Sequence, residues 1–419
     1  MRRSAIVVLV VCAALAAAAC ARHPSSLVSP LPSLPAFAAE STSVDTIAPG
    51  LVHRSYWAAR GPWAIQLLDV DRSACWSLVA LKAGGQAVGR ERTSELVRWY
   101  ADTSGRQSLR ERPPGGGINA DFFTFTPAGV PIGPHVSAGR VIAGPGTRPA
   151  LAFDSSGAPF IGTFTAAGFA VVGGDSFPVA AWNQRRLAGL ALFDRGWGAA
   201  TDSATGAIEV VVARVAASRA SPGVHDSAES ARAVVAVGTV AAIDTFTAGV
   251  AVPADGIVLV LGREAPAEQR RRLAAIQPGT PGRWAVRLEP FLPREAVGGF
   301  PVLLRDSVPA LDLDSAGGAA FGPVRHPRTA VGIAASGRRL LLVTVDGRQH
   351  PYSDGMTLRE LAEFFLELGV PTAINLDGGG STTLVVRGPS GALRIANRPS
   401  DREGERPVAN ALVVVGGCR

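Results

Sequence analysis

The stretch PTAINLDGGGSTTLVVRG, Pro371–Gly388, decides how the chain is read. A short apolar run ends at Asp377. Gly378, Gly379 and Gly380 follow, then Ser381, Thr382 and Thr383, and then a second apolar run. Two adjacent strands need only a two-residue turn. Three successive glycines instead let the backbone enter positive φ and approach a ligand, and their amides are expected to form a concave anion site. A phosphate-binding P-loop would need a lysine after its last glycine and a helix beyond it. Here no lysine follows, and TTLVVRG reads as a strand, which argues against nucleotide and dinucleotide binding.

Just upstream, SDGMTLRELAEFFLELGVP places Thr357 and Glu360 as a capping box. Leu358, Leu361, Ala362, Phe365 and Leu368 recur at helical spacing, and Gly369 and Pro371 end the helix. The order is therefore helix, strand, glycine loop, strand. A second helix is expected over Thr93–Ala101. Elsewhere short β-type runs such as WAIQLLDV, SLVALKA, GIVLVLG, LLLVTVDG and NALVVVGG are bounded by Gly, Asp or Pro. The pattern implies an α+β fold of mixed and antiparallel sheets with few helices. The folded domain is expected over 51–419, with a motif-rich core at 115–416 and a more variable middle at 150–325.

The chain has 419 residues, 47% hydrophobic and 18% charged, which describes a globular protein with a sizeable core. Its formal net charge of +7 comes from scattered arginines interleaved with acids, as in Arg90-Glu91-Arg92. Nucleic acid is therefore not an expected partner. At the N-terminus a basic MRR precedes the apolar run Ala5–Ala19, a leader pattern assigned to residues 1–19. Either Cys20 is acylated as in a bacterial lipoprotein or cleavage follows an Ala-x-Ala site; both routes export the protein to the periplasm or beyond, the first with a membrane anchor. Residues 20–50, rich in Pro, Ser and Ala, are expected to be a linker. Cys75 and Cys418 then remain as a pair for a disulfide or as two separate thiols.

Four further segments carry polar residues beside strand-like runs. GGINADFF holds Asn119 and Asp121, RHPRTAVG holds Arg328 and Thr329, VTVDGRQ holds Asp346, and NRPSDREGERP holds Asn397, Arg398, Asp401 and Arg406. Taken singly, each has an ordinary role: Asp-Gly marks turns, Arg328 makes a surface pair, Phe122 and Phe123 fill a core, and His326 lies in a loop.

In this order NADFF, RHPRTAVG, VDGRQ…SDGMTLRELAEF, INLDGGGSTTLVV and NRPSD…ERPVANALVV resemble the phosphodiester glycosidase family. The resemblance implies a glycan phosphodiester substrate, hydrolysed to a free sugar and a phosphomonoester. It places the catalytic groups at Asp377, Asp346, Arg328 and Ser381. Substrate binding falls on Asn119, Asp121, Thr329, Asn375, Gly378, Gly379, Gly380 and Thr382, with Asp121 standing where the family motif has Gly or Ser. Departing phosphate has a second pKa of about 6 and needs little protonation, so one carboxylate suffices where most glycosidases use two. Asp377 or Asp346 would activate water or stabilise positive charge at the anomeric carbon; Arg328, Ser381 and the loop amides would hold the phosphate.

No metal site or cofactor is assigned, although Asp121, Asp346 and Asp377 offer oxygen ligands suited to Ca²⁺ or Mg²⁺. The alternative function is a non-catalytic envelope module binding phosphorylated glycan or peptidoglycan. It leaves Asp377 and Asp346 unexplained, since carboxylates repel a bound anion.

Overall fold

A computed structural model describes residues 40–107, 113–202, 206–217, 234–245, 249–311 and 318–417. Strands far outweigh helices, so the fold is predominantly β, not the α+β class expected. The short, β-branched runs pair with one another, and the helices only flank the sheets. An eight-stranded sheet runs Ser41–Ala48, Leu51–Ala58, Trp63–Asp71, Arg339–Val345, Arg328–Ala334, Thr372–Asn375, Val302–Arg305 and Val308–Pro309. A five-stranded sheet runs Leu393–Ile395, Leu384–Arg387, Gly116–Asn119, Asn410–Gly416 and Trp76–Lys82.

These two sheets bury one shared core. Leu68, Val331, Leu342 and Ile374 from the first meet Leu78, Ile118, Leu384 and Leu412 from the second, with Leu151 and Val297 from a third sheet. Two sheets packed face to face in this way place their strand ends, and the loops between them, at common edges.

The first strand corrects the expected linker. Ser41–Ala48 pairs antiparallel with Leu51–Ala58, because Thr42, Val44, Thr46 and Ile47 are β-branched residues that favour a pleated strand. Folded structure thus begins before Leu51. Residues 1–39, including Cys20 and the expected leader, lie outside the described residues, as does Cys418. Cys75 is disulfide-bonded.

Within the variable middle, seven strands between Thr165 and Glu289 close into a barrel. It has its own core, including Phe177, Leu192, Leu259 and Trp284. Among the described residues its one parallel pairing joins Asp175–Trp182 to Leu190–Phe193.

The helix Leu358–Glu367 forms with the expected reciprocal cap: Glu360 N donates to Thr357 Oγ1 at 3.1 Å, and Thr357 N donates to Glu360 Oε2 at 2.8 Å. Leu358, Leu361, Ala362, Phe364 and Phe365 are its buried face. The other expected helix extends over Thr93–Gln107.

Candidate active site

The loop after Thr372–Asn375 does not close a hairpin. Thr372–Asn375 belongs to the eight-stranded sheet and Leu384–Arg387 to the five-stranded one, so Asp377–Thr383 carries the chain from one layer to the other. That crossing is why a two-residue turn would not serve.

Residues from both layers converge on it. Asn119, the last residue of Gly116–Asn119, donates from Nδ2 to the Asp377 carbonyl at 2.6 Å. Its Oδ1 accepts from Thr329 Oγ1 at 2.8 Å and from Thr383 N at 3.1 Å. Asn119 and Thr329 therefore fix the backbone of the loop. Asp346, just past Arg339–Val345, is buried; its carboxylate accepts from Tyr352 Oη, Asn397 Nδ2 and Arg398 N, each near 3.0 Å. Asn397 Nδ2 also donates to the Thr382 carbonyl at 3.0 Å, which ties Asp346 to the far end of the loop. Burial raises the Asp346 pKa, against the hydrogen bonds from Arg398 N, Asn397 and Tyr352.

The glycine loop differs from the expected amide cradle. Gly379 N donates to Pro327 O, Ser381 N to Gly378 O and Thr382 N to Gly379 O, while Gly378 N turns to the Asp377 carboxylate. These donors are used within the protein, and Gly379–Ser381 tightens into one 3-10 turn. Gly380 is needed for close packing, since a Cβ there would lie 2.2 Å from Asp401 Oδ1 and 2.3 Å from Arg406 Nη2. Those two side chains form a forked ion pair at 2.7 and 3.0 Å.

Arg328 also behaves differently from expectation. Its Nε donates to Met356 O at 2.8 Å, and its Nη2 donates to Phe321 O and Val324 O at 2.8 and 2.7 Å. Those donors hold the backbone instead of facing the glycine loop. Burial lowers its pKa to about 10, so it stays charged at neutral pH. Asn375 likewise donates to Phe300 O and Leu376 O.

Asp377 itself is partly buried. Desolvation pushes its carboxyl up to about 6, opposed by Ser381, Arg406, Gly378 N and Arg148. Ser381 lies beside it, but its buried Oγ makes no well-formed hydrogen bond, nor does that of Thr382. Asp121 is close enough to be felt. Burial first, and the Asp377 charge as a smaller contribution, push Asp121 up to about 7, against the Gly133 amide and Arg148. Asp121 Oδ2 accepts from Gly133 N at 2.8 Å, its own amide donates to Asn410 Oδ1 at 2.8 Å, and its buried Oδ1 has no partner.

Arg148 was not singled out from the sequence. It precedes Pro149–Phe153 in the loop GPGTRPA, where glycine and proline suggest only a turn. Its charge acts on both Asp121 and Asp377. Phe122 is half-buried and packs against Phe321 with ring centroids 6.3 Å apart.

Asp121, Asp346 and Asp377 do not make a metal site. Among the described residues no three His, Cys, Asp or Glu side chains are grouped to hold one, and Asp346 has both oxygens engaged by protein donors.

Asp346, through Asn397, and Asp121, through charge, are thus linked to the glycine loop and Asp377, on the motifs quoted above. Residues 230–415 match the phosphodiester glycosidase family. The match covers less than half of the chain. Over 81 residues the chain is 47% identical to bovine N-acetylglucosamine-1-phosphodiester alpha-N-acetylglucosaminidase. That is 19% of this chain and 14% of the bovine protein, so the chain spans about a seventh of that relative's length. It is also 38% identical over 91 residues, 22% of this chain and 13% of the relative, to the SPbeta prophage-derived uncharacterized protein YomE of Bacillus subtilis.

Among solved structures, a hypothetical protein from Synechocystis superposes with a TM-score of 0.68 at 21% identity, covering 90% of this chain and 64% of its own. That likeness concerns the fold alone. A putative exported protein from Burkholderia pseudomallei superposes with a TM-score of 0.62 at 25% identity, covering 87% and 76%.

Proposed function

We propose that the chain is a phosphodiester glycosidase: it hydrolyses a sugar-1-phosphodiester, releasing the sugar and leaving a phosphomonoester. The observation that carries this reading is the Asp377 carboxyl. It stands at the sheet-to-sheet crossing, with its pKa raised to about 6 by burial against the pull of Ser381, Arg406 and Arg148. A carboxylate near this pKa is ionised at neutral pH yet basic enough to take a proton.

The reacting role goes to Asp377 and not to Asp346. Both oxygens of Asp346 accept hydrogen bonds from the protein, which fits a group that holds Asn397 and the loop. In the proposed step, water oxygen bonds to the anomeric carbon and its proton passes to Asp377. The carbon–oxygen bond to phosphate breaks, and the phosphate leaves with the electron pair. A leaving group whose conjugate acid has a pKa of about 6 departs without a strong general acid. The leader-like sequence of residues 1–19 favours action outside the cytoplasm, on an envelope or extracellular glycan.

The test is turnover of a sugar-1-phosphodiester by the wild-type chain and by Asp377→Asn. Loss of on the order of 10²–10⁴ in kcat is expected for removing the base. Hydrolysis in ¹⁸O water should place the label in the sugar. Near-wild-type turnover by a folded Asp377→Asn protein would remove the assignment, and label in the phosphate would reject attack at carbon.

A further inference from the structure

Cationic groups around Asp377, Asp346 and the glycine loop differ in what their donors already hold. Arg328 donates to three backbone carbonyls, and Arg406 is forked onto Asp401. The guanidinium of Arg398 lies over the Tyr352 ring, 5.5 Å from its centroid. Arg148 is unlike these. Its guanidinium carbon lies 4.6 Å from the Phe122 ring centroid and 5.3 Å from that of Phe300, and its Nη1 is buried without any hydrogen-bond partner. Two aromatic rings attract a cation and fix its plane, but they satisfy none of its N–H groups. A buried donor left unpaired in a folded protein calls for a reason, and a ligand that completes it is one.

We propose that Arg148, clamped by Phe122 and Phe300 with a buried N–H left over, is the residue that binds the substrate's phosphate. This assignment rests on the phosphodiester reading above. The guanidinium fork matches two phosphate oxygens with parallel N–H···O bonds, which an ammonium does not reproduce. Its position also suits the chemistry: a cation that acts on Asp377 can hold the phosphate beside the carboxylate that receives the proton. Small residues also pack closely against Asp121. A Cβ on Gly298 would lie 2.4 Å from Asp121 Oδ2, so no larger side chain fits against that carboxyl.

The experiment is calorimetric titration of the full chain with inorganic phosphate at pH 7, beside steady-state kinetics on a sugar-1-phosphodiester. Arg148→Met keeps an apolar stem between the rings and removes the charge. It is expected to weaken phosphate at least tenfold and to raise KM at least tenfold, with a smaller change in kcat. Arg148→Lys should fall between, and Phe122→Leu, which removes one clamping ring, should weaken phosphate several-fold; these two carry the test if Arg148→Met does not fold. Asp377→Asn should still bind phosphate while losing turnover. Wild-type affinity for phosphate in folded Arg148→Met, or no phosphate binding by the wild type, overturns the proposal. Phosphate bound through Arg148 without hydrolysis of any sugar-1-phosphodiester would instead leave the anion site standing and reject the hydrolase.

Discussion

Asn119 donates to the carbonyl oxygen of Asp377 at 2.6 Å, across 258 residues of sequence. The contact links the end of a strand in the five-stranded sheet to the loop that leaves the eight-stranded one. The same side chain accepts from Thr329 and from the Thr383 amide. One buried amide thus sets the backbone on both sides of the glycine run. Asn119→Ala removes three hydrogen bonds and leaves buried partners unpaired, at a cost of about 2–4 kcal/mol. Urea denaturation should show the midpoint falling, and turnover should fall with it at urea-free conditions. An unchanged midpoint would mean that the loop holds its shape without Asn119.

Arg328 makes a second structural prediction. Arg328→Met strips the donors from the carbonyls of Phe321, Val324 and Met356 in a buried setting. Lost hydrogen bonds from a charged group are worth about 1.5–3 kcal/mol each before relaxation. A clear drop in melting temperature is expected. Wild-type thermal stability would show that these bonds do not hold the fold, and would return Arg328 to ligand binding.

The sign of the pH dependence follows from Asp121. Its folded pKa is raised to about 7, chiefly by burial, above an unfolded value of about 3.9. The neutral form is therefore the one that favours folding. Its contribution is fully present below about pH 4 and is lost as pH rises through about 7. Asp121→Asn stays neutral throughout, so its melting temperature should exceed the wild type's most at pH 8 and converge with it near pH 4. The gap corresponds to on the order of a few kcal/mol. A pH-independent gap would reject the raised pKa. Activity reports Asp377 instead, and should decline as pH falls below about 6 and its carboxylate takes up a proton.

Gly380 tests how tightly the loop is packed. A methyl group there meets Asp401 Oδ1 and Arg406 Nη2 well inside contact distance. Gly380→Ala must push the ion pair aside or move the loop, and a displacement of about 1 Å at a reacting group costs roughly 10²-fold in rate. Turnover should drop by at least tenfold while the far-UV spectrum stays native. Full activity would show that the Asp401–Arg406 pair swings away freely.

Local physics was legible in the chain. The Thr357–Glu360 box and the 3.6-residue spacing from Leu358 to Phe365 announce a capped helix, because both depend on neighbours within two turns. The apolar runs announce strands for a similar reason. Other expectations failed where a pairing partner outweighed local composition. Residues 20–50 have linker composition, yet Ser41–Ala48 is a strand because Leu51–Ala58 follows it as a pairing partner. The three glycines suggest open amides, but Pro327 O, supplied by another strand's approach, takes the Gly379 N–H.

By itself, the order of residues determined the helix, most strands and the set of polar motifs, since spacing and side-chain type act over short range. Only the tertiary structure decided what the polar groups do. It spent the Arg328 donors on backbone carbonyls, surrounded Asp346 with donors and left the Arg148 Nη1 without one. Whether a charge is available depends on which distant groups share its burial, and packing the two sheets face to face settled that.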